Sequence, residues 1–434
     1  MRALRSAGWG KTAVASGILL ALAPASLSAA IQGSLEWTRT ISTTGSDRAF
    51  RITADGSGNS YVVGETSGVL APGGTGGTNA FVRKYDLGGN VVWTNQYGGV
   101  GIATNANAVA VDANNLYVAG SSSSTPTSGT GYVRKYDLSG NLIWHRDITP
   151  VDEFVQAVTV DASGNVYVGG GTTASLAQTN GGSNDAFIRK YDSAGTVQWT
   201  RQFGNVGDDI VRGLTIDPSG NLVSIGQVAT NVLGVPGSNG GTFVRKYDPA
   251  GSALWTQGIG SAGNELGTSV DTDASGNVYV AGRTPLATYG PYGGNNDDFA
   301  AKFDSAGNFI WGKQIGTSFF ETLPAIATDD AGNSLLVSGG GNFDPSYSGQ
   351  EDAFVIAMDA AGLTLWTQEY GTNLNNEGRG VAMSADGRRA WITGIDFATG
   401  ANGDDSFVRA LSIPEPGVGA MLFISLTATR RRRV

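Results

Sequence analysis

Ala157-Val-Thr-Val-Asp161-Ala-Ser-Gly164-Asn165-Val-Tyr-Val-Gly169 contains the fold in miniature. Apolar and polar residues alternate with period two on both sides of an Asp-x-x-Gly-Asn break, which predicts a β-hairpin closed by a tight turn. The carboxylate at the head of such a turn accepts backbone N–H groups, and glycine supplies the positive φ that reverses the chain. Further on, Phe187-Ile-Arg-Lys-Tyr191-Asp192 and Thr196 to Gln202 flank Ser193-Ala-Gly195 and predict a second hairpin. One unit is therefore four antiparallel strands.

The unit recurs. Trp37, Trp93, Trp144, Trp199, Trp255, Trp311 and Trp366 follow one another at 56, 51, 55, 56, 56 and 55 residues. The segment Phe81 to Asp86 returns at Tyr132, Phe187, Phe243, Phe299 and Phe354, and in degenerate form at Phe407 to Ser412. The Asp-x-x-Gly-Asn turn returns at Asp55, Asp161, Asp217, Asp273 and Asp329, with weaker versions at Asp112 and Asp386. Seven units of this length predict an all-β chain, a seven-bladed β-propeller of four-stranded blades, because radial repetition leaves only short sheet edges. The chain starts on a lone Trp strand and ends on a Phe strand. The N-terminal strand, Ser34 to Ile41, is thus expected to complete the last blade beside Ser406 to Ser412.

Composition narrows the chemistry. The 434 residues include 66 Gly, no Cys and one His. That excludes disulfide staples, thiolate zinc sites, cysteine nucleophiles and any two-histidine metal site. His145 follows Trp144 where other units have Thr or Gly, and it reads as incidental. No Gly-x-Ser-x-Gly elbow, phosphate loop or zinc motif occurs, so no catalytic residue and no cofactor site is assigned.

The ends read as addresses. Residues 1–30 carry Arg2, Arg5 and Lys11, then Ile18 to Ala23, then Ser28-Ala-Ala30, the order of a secretory signal peptide. Residues 414–434 run Pro414-Glu-Pro416, an apolar stretch Gly417 to Thr429, and Arg430 to Arg433. That order resembles the PEP-CTERM sorting signal of Gram-negative bacteria. The resemblance implies transient inner-membrane anchoring, removal of the tail by an exosortase-type processing enzyme, and a destination at the cell surface or in the exopolysaccharide matrix. Thirteen apolar residues give about 20 Å of helix against a hydrocarbon core of about 30 Å, a short span. Removing both ends takes seven of 28 basic residues and one of 37 acidic ones, leaving 21 against 36. Such a surface repels polyanions, so nucleic acid is not an expected partner.

Between the ends, at 31–413, the units resemble the SBBP seven-bladed β-propeller repeat, on segments such as Gly207-Asp-Asp209 followed by Leu214 to Gly226. The last unit departs, with Trp391 where Tyr is usual. The resemblance implies a fold and no common chemistry.

Ten of the remaining basic residues, among them Arg83, Lys84, Arg189 and Lys190, lie in the Phe strands and are expected to make inter-blade pairs or solvated edges. The Trp series is expected to pack between blades. A carboxylate series stands about eight residues before each turn Asp: Asp47, Asp152-Glu153, Asp208-Asp209, Glu265, Glu321 and Glu377, with Asn105 near the equivalent place in the second unit. Asp185, Asp297-Asp298, Glu351-Asp352 and Asp404-Asp405 precede the Phe strands, and topology puts both loop types on one face. Oxygen ligands suit Ca²⁺, so Asp47, Asp152, Asp209, Glu265, Glu321 and Glu377 are the candidate cation-binding rim. The alternative is that each carboxylate caps loop N–H groups or pairs with a strand Arg. The leading reading is an exported binding or structural module for carbohydrate, protein or cation. The rival is a propeller enzyme, either polysaccharide-active or quinone-dependent. The turn Asp137-Leu-Ser-Gly140-Asn-Leu-Ile-Trp144 resembles the Asp-x-x-x-Gly-x-x-x-Trp motif of pyrroloquinoline-quinone dehydrogenase propellers, which usually have eight blades, many with a vicinal Cys pair absent here.

Overall fold

The turn carboxylate of Asp55 takes four bonds. Ser57 N and Asn59 N donate to Oδ1 at 2.9 and 3.0 Å, and Asn59 Nδ2 and the Tyr61 hydroxyl donate to Oδ2 at 2.8 and 3.0 Å. Gly58, at φ 80°, closes the reversal. The same set recurs at Asp161, and without the tyrosine at Asp217, so this turn chemistry fixes the hairpin register in these units.

The computed structural model describes residues 33–72, 74, 77–125, 128–150, 153–230, 240–260, 265–316, 321–341, 351–371, 375–397 and 403–414. The leader at 1–30, Asp152, and the tail beyond Pro414 lie outside them. Among the described residues, 28 strands form seven four-stranded antiparallel sheets. The innermost strands are Asp47–Ala54, Ala103–Val111, Glu153–Val160, Ile210–Ile216, Leu266–Thr272, Ala325–Thr328 and Asn376–Met383. Each touches the innermost strand on either side, and the seventh touches the first, so the ring is closed. Blade 7 takes its outermost strand from the N-terminus: Ser34 pairs with Ser412 and Ile41 with Ser406, antiparallel.

Neighbouring blades are fastened by repeated contacts. Trp93 Nε1 and Lys84 Nζ both donate to Leu138 O of the next blade, at 3.1 and 3.0 Å. Trp199 and Lys190 do the same to Pro249 O. The lysine also lies over the tyrosine of its own blade, 5.2 Å for Lys84 over Tyr61 and 4.7 Å for Lys302 over Tyr279. The lysines of these strands thus serve as donors to backbone carbonyls of the next blade, whereas Arg83 and Arg189 donate to Thr94 and Thr200 of their own blade. In blades 3, 5 and 6 the third strand is buried throughout, as in Asp185–Tyr191, which is why it reads as a continuous run rather than an alternating one.

The joint between blades 6 and 7 differs. Leu335 stands where the tyrosine would be and Ala357 where the lysine would be. Blade 7 joins its third and fourth strands from opposite ends of the chain, so no turn there offers a carbonyl, and Trp366 Nε1 has no acceptor among the described residues. The missing side chains leave a groove of about 530 Å³ lined by Leu335, Ala357, Trp366, Met383, Ile413 and Pro414, among others.

Candidate functional site

The strand register aligns the carboxylate series. Asp47 pairs with Thr66 and Glu153 with Thr172, so Glu153, the neighbour of Asp152, holds the Asp47 position in blade 3. In blade 7 the position belongs to Asn376, and Glu377 stands one residue further on. In blade 2 it belongs to Thr104, beside Asn105. The aligned residues are Asp47, Thr104, Glu153, Asp209, Glu265, Glu321 and Asn376, and all seven are buried.

Their backbones explain the burial. Asp47 N donates to Asp404 O, Asp209 N to Asn184 O, Glu321 N to Asn296 O and Asn376 N to Glu351 O. Each bond ties the start of an innermost strand to the long loop of the preceding blade, which places both acidic loop types on one face. Two of the side chains cap their own loops. Asp47 Oδ2 accepts Thr43 N at 2.6 Å and Thr43 Oγ1 at 2.7 Å. Asp209 accepts Asn205 N at 3.0 Å and Ala229 N at 2.8 Å. Burial pushes the Asp209 carboxyl up to about 6 against these bonds, with Asp185 and Asp208 adding repulsion. Burial raises Asp47 as well. Glu377 pairs with Arg379.

Glu265 is different. Its side chain is buried, and neither carboxylate oxygen has a hydrogen-bond partner among the described residues. It lines a pocket of about 520 Å³ with Gly260, Leu286, Thr288 and Tyr289. The Tyr289 ring is stacked on Phe309, centroids 5.6 Å apart, which gives the pocket a braced aromatic wall. Among the described residues no three His, Asp or Glu side chains come together as a metal-binding group.

Below the rim the axis of the ring is basic. A cavity of about 110 Å³ is lined by residues of five innermost strands, including Arg51, Gln156, Arg212 and Thr268. Gln156, Arg212, Thr268 and Arg379 each occupy the extra residue of a β-bulge, and Arg51 follows the bulged Phe50. A bulge re-aims a side chain out of the normal alternation, here toward the axis. Arg51 Nη1 donates to Phe50 O and, across the blade boundary, to Arg379 O at 2.8 Å. Burial, with Arg379 and Arg212 nearby, lowers the Arg51 guanidinium to about 10. Burial and Arg283 lower Arg212 as well, and Asp208 opposes them. Arg51, Arg212 and Arg379 escaped the sequence reading, which followed the repeated Phe strands. The available clue was an arginine four or five residues before a turn Asp, at Arg51 and Arg212.

The comparisons agree with the architecture. The family model of the SBBP beta-propeller repeat matches residues 36–71 and 198–223. A WD repeat-containing protein of Acanthamoeba polyphaga mimivirus is 26% identical over 166 residues, 31% of this chain and 12% of that protein. The regulatory protein FlaEY of Caulobacter vibrioides is 26% identical over 237 residues, 46% of this chain and 25% of that protein. The chain thus spans a quarter or less of these relatives. Among solved structures, puromycin hydrolase superposes with a TM-score of 0.50 at 13% identity, covering 81% of this chain and 50% of that one. A likeness at that identity is one of fold.

Proposed function

We propose that this protein is an exported propeller that works by binding at the cell surface or in the extracellular matrix, with its ligand site on the acidic loop face. One observation carries the reading: among the described residues no donor reaches either carboxylate oxygen of Glu265, at a buried position that lines an open pocket. A buried carboxylate without donors costs free energy, and a ligand that supplies donors or positive charge removes that cost. A polyhydroxylated sugar against the Tyr289 wall does so through its hydroxyls, and a Ca²⁺ ion does so through its charge. Export rests on the order of residues 1–30. The Pro414-Glu-Pro416 box, apolar stretch and arginines support transient anchoring and cutting by an exosortase-type enzyme.

The test is a glycan array and a calcium titration of the full-length protein and of Glu265→Gln. Glycan binding or a calcium-dependent rise in Tm is expected in the parent and is lost in the variant. A parent that binds no glycan and shows no shift with calcium overturns the reading.

A further inference from the structure

Near the axis Arg379 and Arg212 each have a side-chain partner, and among the described residues Arg51 has only backbone ones. Arg379 pairs with Glu377. Arg212 donates through Nε and Nη2 to Gln227 Oε1, at 3.3 and 3.0 Å. Arg51 uses Nη1 alone, on two carbonyls, and no carboxylate pairs with it among the described residues. Its Nε and Nη2, with Nη1 of Arg212 and the amide of Gln156, remain as donors around one small cavity. The chain around them is acidic, with a formal net charge of −9. Three guanidinium groups near one another are mutually repulsive, yet Arg51, Arg212 and Arg379 stand together at the axis, each half-buried.

We propose that the central channel is a binding site for a small free oxyanion of the phosphate or sulfate type, clamped between Arg51 and Arg212. The planar guanidinium presents two parallel N–H groups that match two oxygens of such an ion. Gln156 adds neutral donors from a third blade, and the carbonyls bound by Arg51 fix its plane. A bound anion offsets the repulsion among Arg51, Arg212 and Arg379, and it ties the innermost strands of blades 1, 3 and 4 together. This site is separate from the Glu265 pocket and takes ligands of the opposite charge, so the two readings fail independently.

Thermal melting and calorimetry on the full-length protein test it, with phosphate and sulfate as probes and NaCl holding the ionic strength constant. A saturable rise in Tm is expected for the parent. Arg212→Gln and Arg51→Gln are each expected to raise the dissociation constant roughly tenfold or more, and Lys313→Gln, on an outer strand, leaves it unchanged. Gln156→Met keeps both arginines and is expected to weaken binding to a lesser degree, which covers the case of an arginine variant that does not fold. No saturable shift in the parent up to about 20 mM anion, or equal dissociation constants in the parent and all folded channel variants, overturns the proposal.

Discussion

Lys246 Nζ lies 2.6 Å from Asp217 Oδ2, both side chains nearly sealed from water, because residue 223 is Val. In blades 1, 2, 3 and 5 a tyrosine hydroxyl bonds the turn carboxylate and the lysine rests over the tyrosine ring. Blade 4 omits the ring, and its lysine drops onto the carboxylate directly. Burial acts to raise the Asp217 carboxyl, but Lys246 and Asn221 outweigh it and hold it below the usual carboxylate range. A carboxyl lowered in this way stabilises the fold above its unfolded pKa, and the contribution fades as pH falls through the folded value.

Lys246→Met leaves Asp217 buried with only its turn donors. A loss of about 3 kcal/mol in unfolding free energy is expected at neutral pH, shrinking toward pH 3. Urea melts of the two proteins at pH 7 and pH 3 check it; a loss independent of pH contradicts the pairing.

Asp209 carries the opposite sign. Its folded pKa of about 6 lies above the unfolded value, so the native state holds the extra proton between about pH 4 and 6. Stability in that window falls as pH rises. Relative to Asp209→Asn, the parent is expected to lose roughly 2–3 kcal/mol between pH 4 and 6 and to change little above pH 7. A flat difference across the window rules this out.

Leu335→Tyr restores to blade 6 the ring that blades 1, 2, 3 and 5 possess. Its hydroxyl reaches the turn carboxylate of Asp329 as Tyr279 reaches Asp273, and its ring fills part of the groove at the blade 6–7 joint. A gain of about 1 kcal/mol is expected, read as a higher Tm. A lower Tm means that the groove closes differently.

Deleting residues 31–41 removes the strand that caps blade 7 and bares the edge from Asp405–Ser412. An exposed edge is a template for pairing with other chains. Size-exclusion chromatography is expected to show aggregates or exchanged dimers in place of monomer, and an added peptide spanning Ser34 to Ile41 is expected to restore monomer. A monomeric deletion with unchanged Tm argues against closure by this strand.

Much of this was legible in the sequence. The period of the Trp series marked the blade number, because six of the seven Trp, all but Trp366, reach a turn carbonyl one blade onward, as Trp93 reaches Leu138. The offset between the first Trp strand and the last Phe strand gave the closure. The buried register position was legible to within a residue: Glu153 and Asn376 hold it, beside Asp152 and Glu377, because charge marks a sequence more plainly than alignment does. The basic axis was not legible. It depends on one extra residue per innermost strand, such as Arg212 between Val211 and Gly213, and a bulge leaves no mark on a period-two pattern.

The clasp at Ser34–Ile41 is made first and engaged last. Its partner edge ends at Ser412, so a ribosome adding about 5–20 residues per second keeps the two apart for roughly 20–75 s. Over that interval the newborn strand is an unclaimed edge on a half-built molecule, and early blades can stack while the circle still gapes. Chaperone attention, premature swapping between nascent chains and the timing of final compaction all converge on the arrival of that last strand.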